Sequence, residues 1–300
     1  MTTPSSCAPA IVINADLLRG WPLPMPGADG DKEQRGHVLI MAGSREMPGA
    51  ALLAATAALR SGAGKLTIAT AASVAVQVGA MLPESRVIGL AETAGGGLLV
   101  TQEQALRAAW RQADAVLVGP GMQDDAATAA LVRTLLDDRG VAPLVLDAAA
   151  MQVVHGGRDW RFSRPVLLTP HAGEMAGLTG AAKEDVLQDP QASAVAAARR
   201  WHAVVALKGR LTVIADPADR VWRHVGGNPG LASSGSGDVL AGLIAGLTAR
   251  GAALEQAAAW GVALHALAGE QLALRHGPLG YLAREIAGEV PALLRRLATC

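Results

Sequence analysis

The chain has 300 residues, of which 51% are hydrophobic, and its 26 lysines and arginines balance 26 aspartates and glutamates at zero net charge. The high apolar fraction excludes a disordered chain and supplies ample core for a large domain. Zero net charge argues against bulk binding to nucleic acid, which needs a basic face for the phosphates. Two cysteines, Cys7 and Cys300, form neither a disulfide framework nor a zinc-ligand set, so we expect a reducing, cytoplasmic location.

Taken in chain order, residues 1–35 are rich in proline and predict a partly extended lead-in with a short helix near residues 16–19. From residue 36 to residue 300, short apolar runs alternate with alanine-rich periodic segments, and we assign this range to a single α/β domain. The predicted strands are residues 37–41, 66–69, 87–90, 114–118, 143–147, 166–169, 204–207, 211–215 and 221–224. The predicted helices are residues 48–61, 102–111, 126–138, 236–250, 254–276 and 280–298.

This alternation is typical of a mostly parallel sheet flanked by helices, and the last three strands are spaced closely enough to favour antiparallel pairing. The charge-free stretch at residues 66–83 contains polar residues such as Thr67, Thr70 and Gln77. It therefore predicts a buried strand and a short helix instead of a membrane span.

Small, polar or charged residues follow each strand of the predicted parallel part. They are Ala42-Gly43-Ser44, Gly119-Pro120-Gly121, Asp147-Ala148, Thr169-Pro170-His171 and Lys208-Gly209. Because ligands of open α/β sheets bind beyond the carboxyl ends of the strands, these segments predict one binding cleft.

The segment Asn228–Gly242 leads from a run of small residues into a helix with an apolar stripe. Its glycines let the backbone approach a ligand closely, and the free N–H groups at a helix start bind anions. Asp238, in the first turn, could accept a proton from a hydroxyl that attacks a phosphate. Spacing alone leaves open a glycine-rich turn in which Asp238 merely favours the helix dipole.

Other nucleotide and hydrolase signatures are absent from the sequence. There is no GxxxxGK[ST] loop, the third glycine of the dinucleotide GxGxxG fingerprint is missing near residue 238, and no GxSxG elbow occurs.

Gly235-Ser236-Gly237-Asp238 resembles the anion-hole and catalytic-base motif of the ribokinase-like superfamily. Within that superfamily the chain resembles the NAD(P)H-hydrate dehydratase family, because six segments match in order over about residues 36–250. These are residues 36–44, 49–55 with 59–64, 119–121, 168–174, 207–212 and 228–242.

The resemblance implies a ribokinase-like three-layer α/β fold and a repair reaction. A nucleotide, ADP or alternatively ATP, would phosphorylate the extra ring hydroxyl of the S-epimer of hydrated NADH or NADPH. Phosphate would then eliminate, which restores NAD(P)H and, with ADP, leaves AMP. Mg²⁺ is the implied cofactor.

The resemblance also assigns roles residue by residue. Asp238 corresponds to the catalytic base, and Gly235, Ser236 and Gly237 correspond to the anion hole. The adenine-nucleotide positions are Lys208, Gly209, Arg210, Leu211, Thr212 and Gly237. The positions that contact the hydrated dinucleotide are Ala50, Gly121, His171 and Asp238.

Physical arguments support these roles unequally. The Lys208 ammonium at a strand end can meet a phosphate, or it can be a solvated lysine at a hairpin. Packing explains Ala50 and Gly121 as well as ligand contact does.

Glu174 and Asp147 are weaker supporting candidates. Glu174 corresponds to an acidic position near the magnesium–phosphate region of related kinases. A metal site at His171-x-x-Glu174 lacks a third ligand in the sequence.

The sequence departs from the family at three places. Ala149 stands where many members have a second aspartate, the glycine-rich loop reads Ser-Gly-Ser-Gly at residues 234–237, and Met47-Pro48 replaces a turn that commonly contains tyrosine. These changes bear on substrate contacts and leave the class of protein intact.

The expected partners are hydrated NADH or NADPH and an adenine nucleotide, with neither nucleic acid nor a membrane. The resemblance suggests a homo-oligomer, with a tetramer as one form, and a dehydratase domain without the epimerase domain of many relatives. Two alternatives stay open: a small-molecule kinase of the same superfamily that acts on a thiazole or pyrimidine vitamin alcohol, and a nucleotide-binding regulatory protein without turnover.

Overall fold

A ten-stranded sheet forms the centre of the computed structural model, which describes residues 9–27, 29–99, 104–123, 125–138, 142–155 and 160–298. The strands are β1 (Ile11–Val12), β2 (His37–Met41), β3 (Lys65–Ala71), β4 (Arg86–Leu90), β5 (Ala115–Val118), β6 (Leu144–Leu146), β7 (Val166–Leu168), β8 (Val204–Leu207), β9 (Leu211–Ala215) and β10 (Val221–Val225). Their order across the sheet is β1-β10-β9-β8-β7-β6-β5-β2-β3-β4.

Helices connect and cover these strands. They are α1 (Ala15–Gly20), α2 (Pro48–Arg60), α3 (Ala75–Met81), α4 (Gln104–Gln112), α5 (Asp125–Asp137), α6 (Ala172–Thr179), α7 (Lys183–Gln188), α8 (Pro190–Trp201), α9 (Ser236–Ala249), α10 (Leu254–His276) and α11 (Ala283–Ala298). Short 3₁₀ helices occupy Ala72–Val74, Ala148–Val154 and Pro229–Leu231.

The pairing of the strands confirms the predicted fold class. The strands from β4 through β8 in sheet order are parallel, and β9 runs antiparallel to both β8 and β10. Every predicted strand is present, with bounds that differ from the prediction by at most two residues. The predicted positions Cys7, Gln102 and Cys300 lie outside the described residues.

The sequence prediction missed the short edge strand β1 and the helices α6, α7 and α8. Their segments are short and are interrupted at Gly180 and Pro190, so no long apolar period marks them. Local caps start two of them instead, because the Asp189 side chain accepts from the N–H of Ala192 at the start of α8 and His171 caps α6.

Alternate residues of each central strand face opposite layers. In β2, Val38 and Ile40 belong to a core shared with α2, α9, α10 and α11, whereas Leu39 and Met41 belong to a core shared with α4, α5, α6 and α8. Helices thus cover both faces, as in a three-layer fold. The charge-free stretch forms β3 and α3 as predicted, and no helix within the described ranges is long and apolar enough to cross a bilayer.

The described part of the lead-in lies against the domain. Strand β1 pairs with β10, and the Trp21 ring stacks on Trp222 with 5.7 Å between ring centroids. The carbonyl oxygen of Trp21 accepts from the side chains of Gln256 and Trp260 on α10. The lead-in therefore covers the end of the first core.

Helix α9 lies directly on the backbone of α2. A Cβ atom added to Gly242 would overlap the carbonyl oxygen of Ala54, and one added to Gly246 would overlap the backbone of Ala58. Glycine at these two positions lets the helix axes approach closely, and this approach fixes where α9 begins.

We expect Gly242→Ala to lower the free energy of unfolding by about 1–3 kcal/mol, because the added methyl group meets backbone that cannot move away. The matched control is Gly288→Ala on α11, where nothing lies within 4 Å of an added Cβ. That change should be neutral or should stabilise by up to about 1 kcal/mol. Urea unfolding of the two variants measures the difference, and equal effects would contradict the close approach of α9 to α2.

Candidate active site

The sheet order brings the predicted polar segments together at one edge. Strands β2, β5, β6, β7 and β8 are consecutive neighbours, so the residues that follow them lie side by side. The backbone is closely packed at this edge. Gly119 has a φ of +125°, and a Cβ there would overlap the carbonyl oxygen of Asp147. Only glycine fits that position without moving the loop after β6.

Asp147, Lys208 and Glu174 form a charged cluster at this edge. Asp147 follows β6, is 3% exposed, and accepts from the Thr169 hydroxyl at 2.5 Å and from Lys208 Nζ at 3.0 Å, both at Oδ1. Lys208 Nζ also lies 3.7 Å from Glu174 Oε2. Burial alone would lower the pKa of Lys208, but the carboxylates of Asp147 and Glu174 outweigh it and raise that pKa. The lysine is therefore a charged strand-end group, held by two carboxylates.

His171 and Glu174 cap the start of α6 together. The His171 N–H donates to Glu174 Oε2 at 2.7 Å, and the Glu174 N–H donates to His171 Nδ1 at 3.1 Å. This reciprocal cap uses one ring nitrogen, which weakens the metal interpretation of His171-x-x-Glu174. Among the described residues no group of three or more histidine, cysteine or acidic side chains is arranged to hold a metal ion.

The first turn of α9 presents free backbone donors. Gly235, the residue before the helix, adopts a left-handed conformation with φ +87°, and its side of the turn packs on Leu53 of α2. The Ser236 N–H donates to the Ser233 carbonyl oxygen, whereas the N–H groups of Gly237 and Asp238 donate to no backbone acceptor in the described chain. The Cβ position of Gly237 lies 3.6 Å from Lys208 Nζ. The positive end of the α9 dipole, the two free N–H groups and the Lys208 ammonium are therefore close together. An anion bound there would be stabilised.

Asp238 is a carboxylate with a strongly shifted pKa. Burial is the largest cause, the negative charge of Asp147 adds to it, and Lys208 opposes both, with the result that the pKa of Asp238 is raised from 3.8 to about 7. A carboxyl group with a pKa near neutrality suits general-base work, because it is available unprotonated and still accepts a proton readily.

A cavity of about 900 Å³ opens beside this turn, a volume suited to a nucleotide-sized ligand. Of the predicted nucleotide positions, its lining includes Lys208, Gly209, Arg210, Thr212 and Gly237. Leu211 differs, because it lines only a smaller neighbouring cavity beside α7 and packs against the second apolar core. The far wall is aliphatic and consists of Leu231, Leu240, Val262 and Ala266.

The predicted dinucleotide positions divide between two places. Ala50, in the first turn of α2, touches Gly121 in the loop after β5, where φ is +63° and an added Cβ would overlap the Ala50 methyl group. His171, by contrast, lines the nucleotide cavity with a side chain that is 59% exposed. Helix α9 begins beside α2, and Ser236 and Gly237 of its first turn line the cavity, so Asp238 lies in the turn that borders the cavity. Ala149, where relatives often have aspartate, packs against the second apolar core.

The sequence analysis assigned no role to His265, which lines the same cavity in the structure. His265 Nε2 lies 2.9 Å from Ser236 Oγ and 3.0 Å from the Ser236 carbonyl oxygen. Burial lowers its pKa to about 4, so its ring is neutral at neutral pH. In the sequence, His265 is marked only by its position inside an alanine-rich helix. An ordinary structural histidine in the core would show the same pattern.

A second cavity of about 900 Å³ lies at the amino edge of the strands, near Gly62, and differs in chemistry. None of its described lining residues is acidic, and its walls are apolar side chains with five arginines. Arg250, for example, donates to the carbonyl oxygens of Ser61 and Pro24, at the end of α2 and in the lead-in. These arginines complement helix ends and loops. The candidate active site is therefore the cavity at the carboxyl edge of the strands.

Comparison with known proteins identifies the fold and the family. Fold and site define an α/β protein of the ribokinase-like class, and the ribokinase of Cryptococcus neoformans shares the fold with a TM-score of 0.59 at 15% identity over 87% of this chain and 99% of that one. The family profile described as NAD(P)H-hydrate dehydratase matches residues 38–292. The chain therefore belongs to the NAD(P)H-hydrate dehydratase family, as the sequence resemblance indicated.

Individual relatives support the same assignment. The chain is 51% identical over 285 residues to an ADP-dependent (S)-NAD(P)H-hydrate dehydratase of Xanthomonas campestris, covering 95% of this chain and 96% of that protein. The crystal structure of an ADP/ATP-dependent NAD(P)H-hydrate dehydratase from Bacillus subtilis, co-crystallized with ATP/Mg²⁺, superposes with a TM-score of 0.83 at 30% identity, over 96% of this chain and 99% of that one. A bifunctional NAD(P)H-hydrate repair enzyme of Moorella thermoacetica is 39% identical over 92% of this chain, which spans only 52% of that protein's length.

The raised pKa of Asp238 makes a prediction about stability. In the folded protein the carboxyl titrates near pH 7 instead of near pH 3.8, so the protein loses stability from this group as the pH rises between those values. Asp238→Asn removes the titration. The variant should therefore gain stability relative to the parent as the pH rises from about 5 to about 8. Thermal unfolding across that range tests this, and a difference in Tm that does not change with pH would contradict it.

Proposed function

We propose that this chain is a nucleotide-dependent (S)-NAD(P)H-hydrate dehydratase that uses ADP as its phosphoryl donor. The observation that carries the proposal is Asp238, a half-buried carboxylate with a pKa of about 7 in the helix turn whose neighbours Ser236 and Gly237 line a nucleotide-sized cavity. The names of the Xanthomonas and Bacillus relatives support the same substrate and the use of ADP.

The proposed reaction has two steps whose atoms balance. The hydroxyl on the hydrated ring gives its proton to Asp238, and its oxygen attacks the terminal phosphorus of ADP while the bond from that phosphorus to AMP breaks. The new phosphate ester then leaves as inorganic phosphate when its C–O bond breaks and the adjacent ring carbon loses a proton. This elimination restores the dihydropyridine, so the products are NAD(P)H, AMP and phosphate.

The chain's own groups supply positioning and charge stabilisation for the first step. The free N–H groups of Gly237 and Asp238 face the developing charge on the phosphoryl group, and Lys208 approaches the same point. Preorganised donors of this kind are the main source of catalysis in phosphoryl transfer, where little covalent work falls to the protein. In this role Asp238 touches the reacting hydroxyl, and Lys208 and the anion loop touch the phosphates.

Magnesium fits this arrangement as a partner of the nucleotide. Mg²⁺ commonly takes one or two carboxylates and completes its shell with phosphates and water, which suits a site without a larger acidic cluster among the described residues. The carboxylates of Glu174 and Asp147, which both lie next to Lys208, are the groups that would hold the ion. When bound, Mg²⁺ would neutralise charge on the transferring phosphoryl group.

The direct test supplies hydrated NADH, ADP and Mg²⁺ and follows the absorbance of the restored dihydronicotinamide. We expect absorbance to return in proportion to phosphate and AMP released, and Asp238→Asn to bind nucleotide but lose turnover by at least about 100-fold. The same assay with ATP in place of ADP, and with hydrated NADPH in place of hydrated NADH, gives the preferences for nucleotide and substrate. No recovery with either nucleotide, or phosphorylation of a thiazole or pyrimidine alcohol instead, would overturn the dehydratase assignment.

The pH dependence of the reaction offers a second test. Because Asp238 must be unprotonated to accept the hydroxyl proton, kcat/KM should rise with pH through an apparent pKa near 7. Asp147→Asn removes a negative charge that raises the pKa of Asp238, so the rising limb should move to lower pH in this variant. Comparing the two pH–rate profiles checks the shift, and Glu184→Gln on the exposed first turn of α7 serves as a matched control that should leave the limb in place. A shift toward higher pH would contradict the assigned electrostatics.

A further inference from the structure

The contact between His265 and Ser236 joins the middle of α10 to the first residue of α9. Ser236 is 4% exposed, and both residues line the nucleotide cavity. A single ring nitrogen, Nε2 of His265, lies within hydrogen-bond distance of two oxygens of Ser236, the hydroxyl at 2.9 Å and the carbonyl at 3.0 Å.

The two contacts together assign the ring hydrogen of His265 to Nε2. A carbonyl oxygen can only accept, so the 3.0 Å contact requires the hydrogen on Nε2 of His265. A protonated Nε2 cannot accept from the Ser236 hydroxyl, which therefore receives or shares the ring N–H. The hydroxyl hydrogen must then point to some other acceptor.

No residue in the described part of the chain accepts that hydrogen. The Ser236 side chain has no further hydrogen-bond partner there, and it does not cap α9, because Gly235 occupies the cap position and no side chain caps this helix. The ordinary explanation of a serine at a helix start, an N-cap, is therefore excluded. With Nε2 protonated, the hydroxyl is a buried donor beside the cavity, without an acceptor among the described residues.

We propose that the Ser236 hydroxyl donates a hydrogen bond to the phosphoryl group transferred from the nucleotide, and that His265 is the positioning residue that holds this hydroxyl in the donating orientation. This inference rests on the function proposed above only for the identity of the phosphoryl donor. It adds a side-chain donor to an anion hole otherwise made of backbone N–H groups. His265 acts through Ser236 and through the first turn of α9, without touching the ligand's reacting atoms.

The geometry gives this donor an advantage over a freely rotating hydroxyl. Ser236 is on the same turn as the free amides of Gly237 and Asp238, so its hydrogen is directed to the same anion. An oriented donor in a water-poor site needs no reorganisation when charge develops, and removal of one such donor typically costs about 100-fold or more in rate. The hydroxyl should stabilise bound ADP less than it stabilises the transition state. Its removal should therefore lower kcat more than it weakens the binding of ADP.

The experiment compares Ser236→Ala with Ser236→Thr, which keeps the hydroxyl. Turnover with hydrated NADH and ADP gives kcat and the KM for ADP. Calorimetric titration with ADP and with AMP gives the share of affinity that comes from the terminal phosphate, and it needs no hydrated substrate. We expect Ser236→Ala to lower kcat by about 10- to 100-fold, and to raise the KM for ADP and lower the ADP-to-AMP affinity ratio by a smaller factor of about two- to fivefold. Ser236→Thr should reverse most of these changes.

A kcat for Ser236→Ala within about twofold of the parent, or an unchanged ADP-to-AMP ratio, would overturn the role of the hydroxyl. The titrations separate this failure from a failure of the dehydratase assignment. If the hydrate is not a substrate, the ADP-to-AMP ratio still reports on the hydroxyl.

The role of His265 is tested by a double-mutant cycle. His265→Leu removes the ring N–H, and His265→Gln keeps an N–H donor at a similar reach and guards against a variant that fails to fold. We expect His265→Leu to lower kcat by about tenfold in the parent and by much less in Ser236→Ala, with partial rescue by His265→Gln. Equal effects of His265→Leu in both backgrounds, or no rescue by His265→Gln at unchanged Tm, would show that the histidine only fills space.

Discussion

The direct contact of α9 with the backbone of α2 is the constraint on which the rest of the site depends. Gly242 and Gly246 remove the side chains that would separate the helices, so α9 is placed by backbone against backbone, where little adjustment is possible. Its first turn is therefore fixed relative to the sheet edge, with Gly235 against Leu53. A helix start that must present free amides and a carboxylate to a small anion needs this kind of support, because displacement of reacting groups by about 1 Å costs much of their effect.

The electrostatics of the site follow from that placement. Asp238 is carried into a partly buried position near Asp147, and Lys208 alone opposes the two carboxylates. Glu174 contacts the same ammonium, so the cluster has more negative than positive charge. Removing charges from water is costly, and the cluster responds by raising the pKa of Asp238. The excess of negative charge thus lowers the stability of the folded protein at higher pH, and it also gives Asp238, the proposed base, a pKa near neutrality.

Sequence patterns predicted the part of this structure that depends on local periodicity and on strand ends. The parallel sheet, the antiparallel strands at residues 204–225 and the loop before α9 could all be read from apolar runs and glycines. The helices between residues 172 and 201 could not, because their starts depend on caps such as His171 with Glu174, and a side chain's use as a cap is not visible in apolar spacing. Likewise, the partnership of His265 with Ser236 joins residues 29 positions apart, which only the packing of α10 on α9 reveals.

Leu211 shows the opposite limit of sequence reasoning. It belongs to a contiguous segment that resembles a nucleotide-binding motif, yet successive residues of a strand face opposite sides of the sheet. Thr212 therefore lines the nucleotide-sized cavity, while Leu211 packs against the second apolar core and lines the smaller cavity beside α7. Where a continuous motif runs along a strand, it thus contributes only alternate side chains to one cavity, and the other members act through the backbone or through packing.

Zero net charge and the proposed polyphosphate site are compatible because, in that proposal, the transferred phosphate meets backbone amides and Lys208 instead of a broad basic surface. That lysine is already engaged by Asp147 and Glu174 before any nucleotide binds, so it brings little uncompensated positive charge to the cavity. The proposed nucleotide would add further negative charge next to Asp238. Either a proton on Asp238 or an added cation must offset it, and a proton there would block the base. The surplus of carboxylates that raises the pKa of Asp238 is thus also the reason to expect the nucleotide to bind with magnesium, which neutralises the phosphates and leaves Asp238 free to accept the hydroxyl proton.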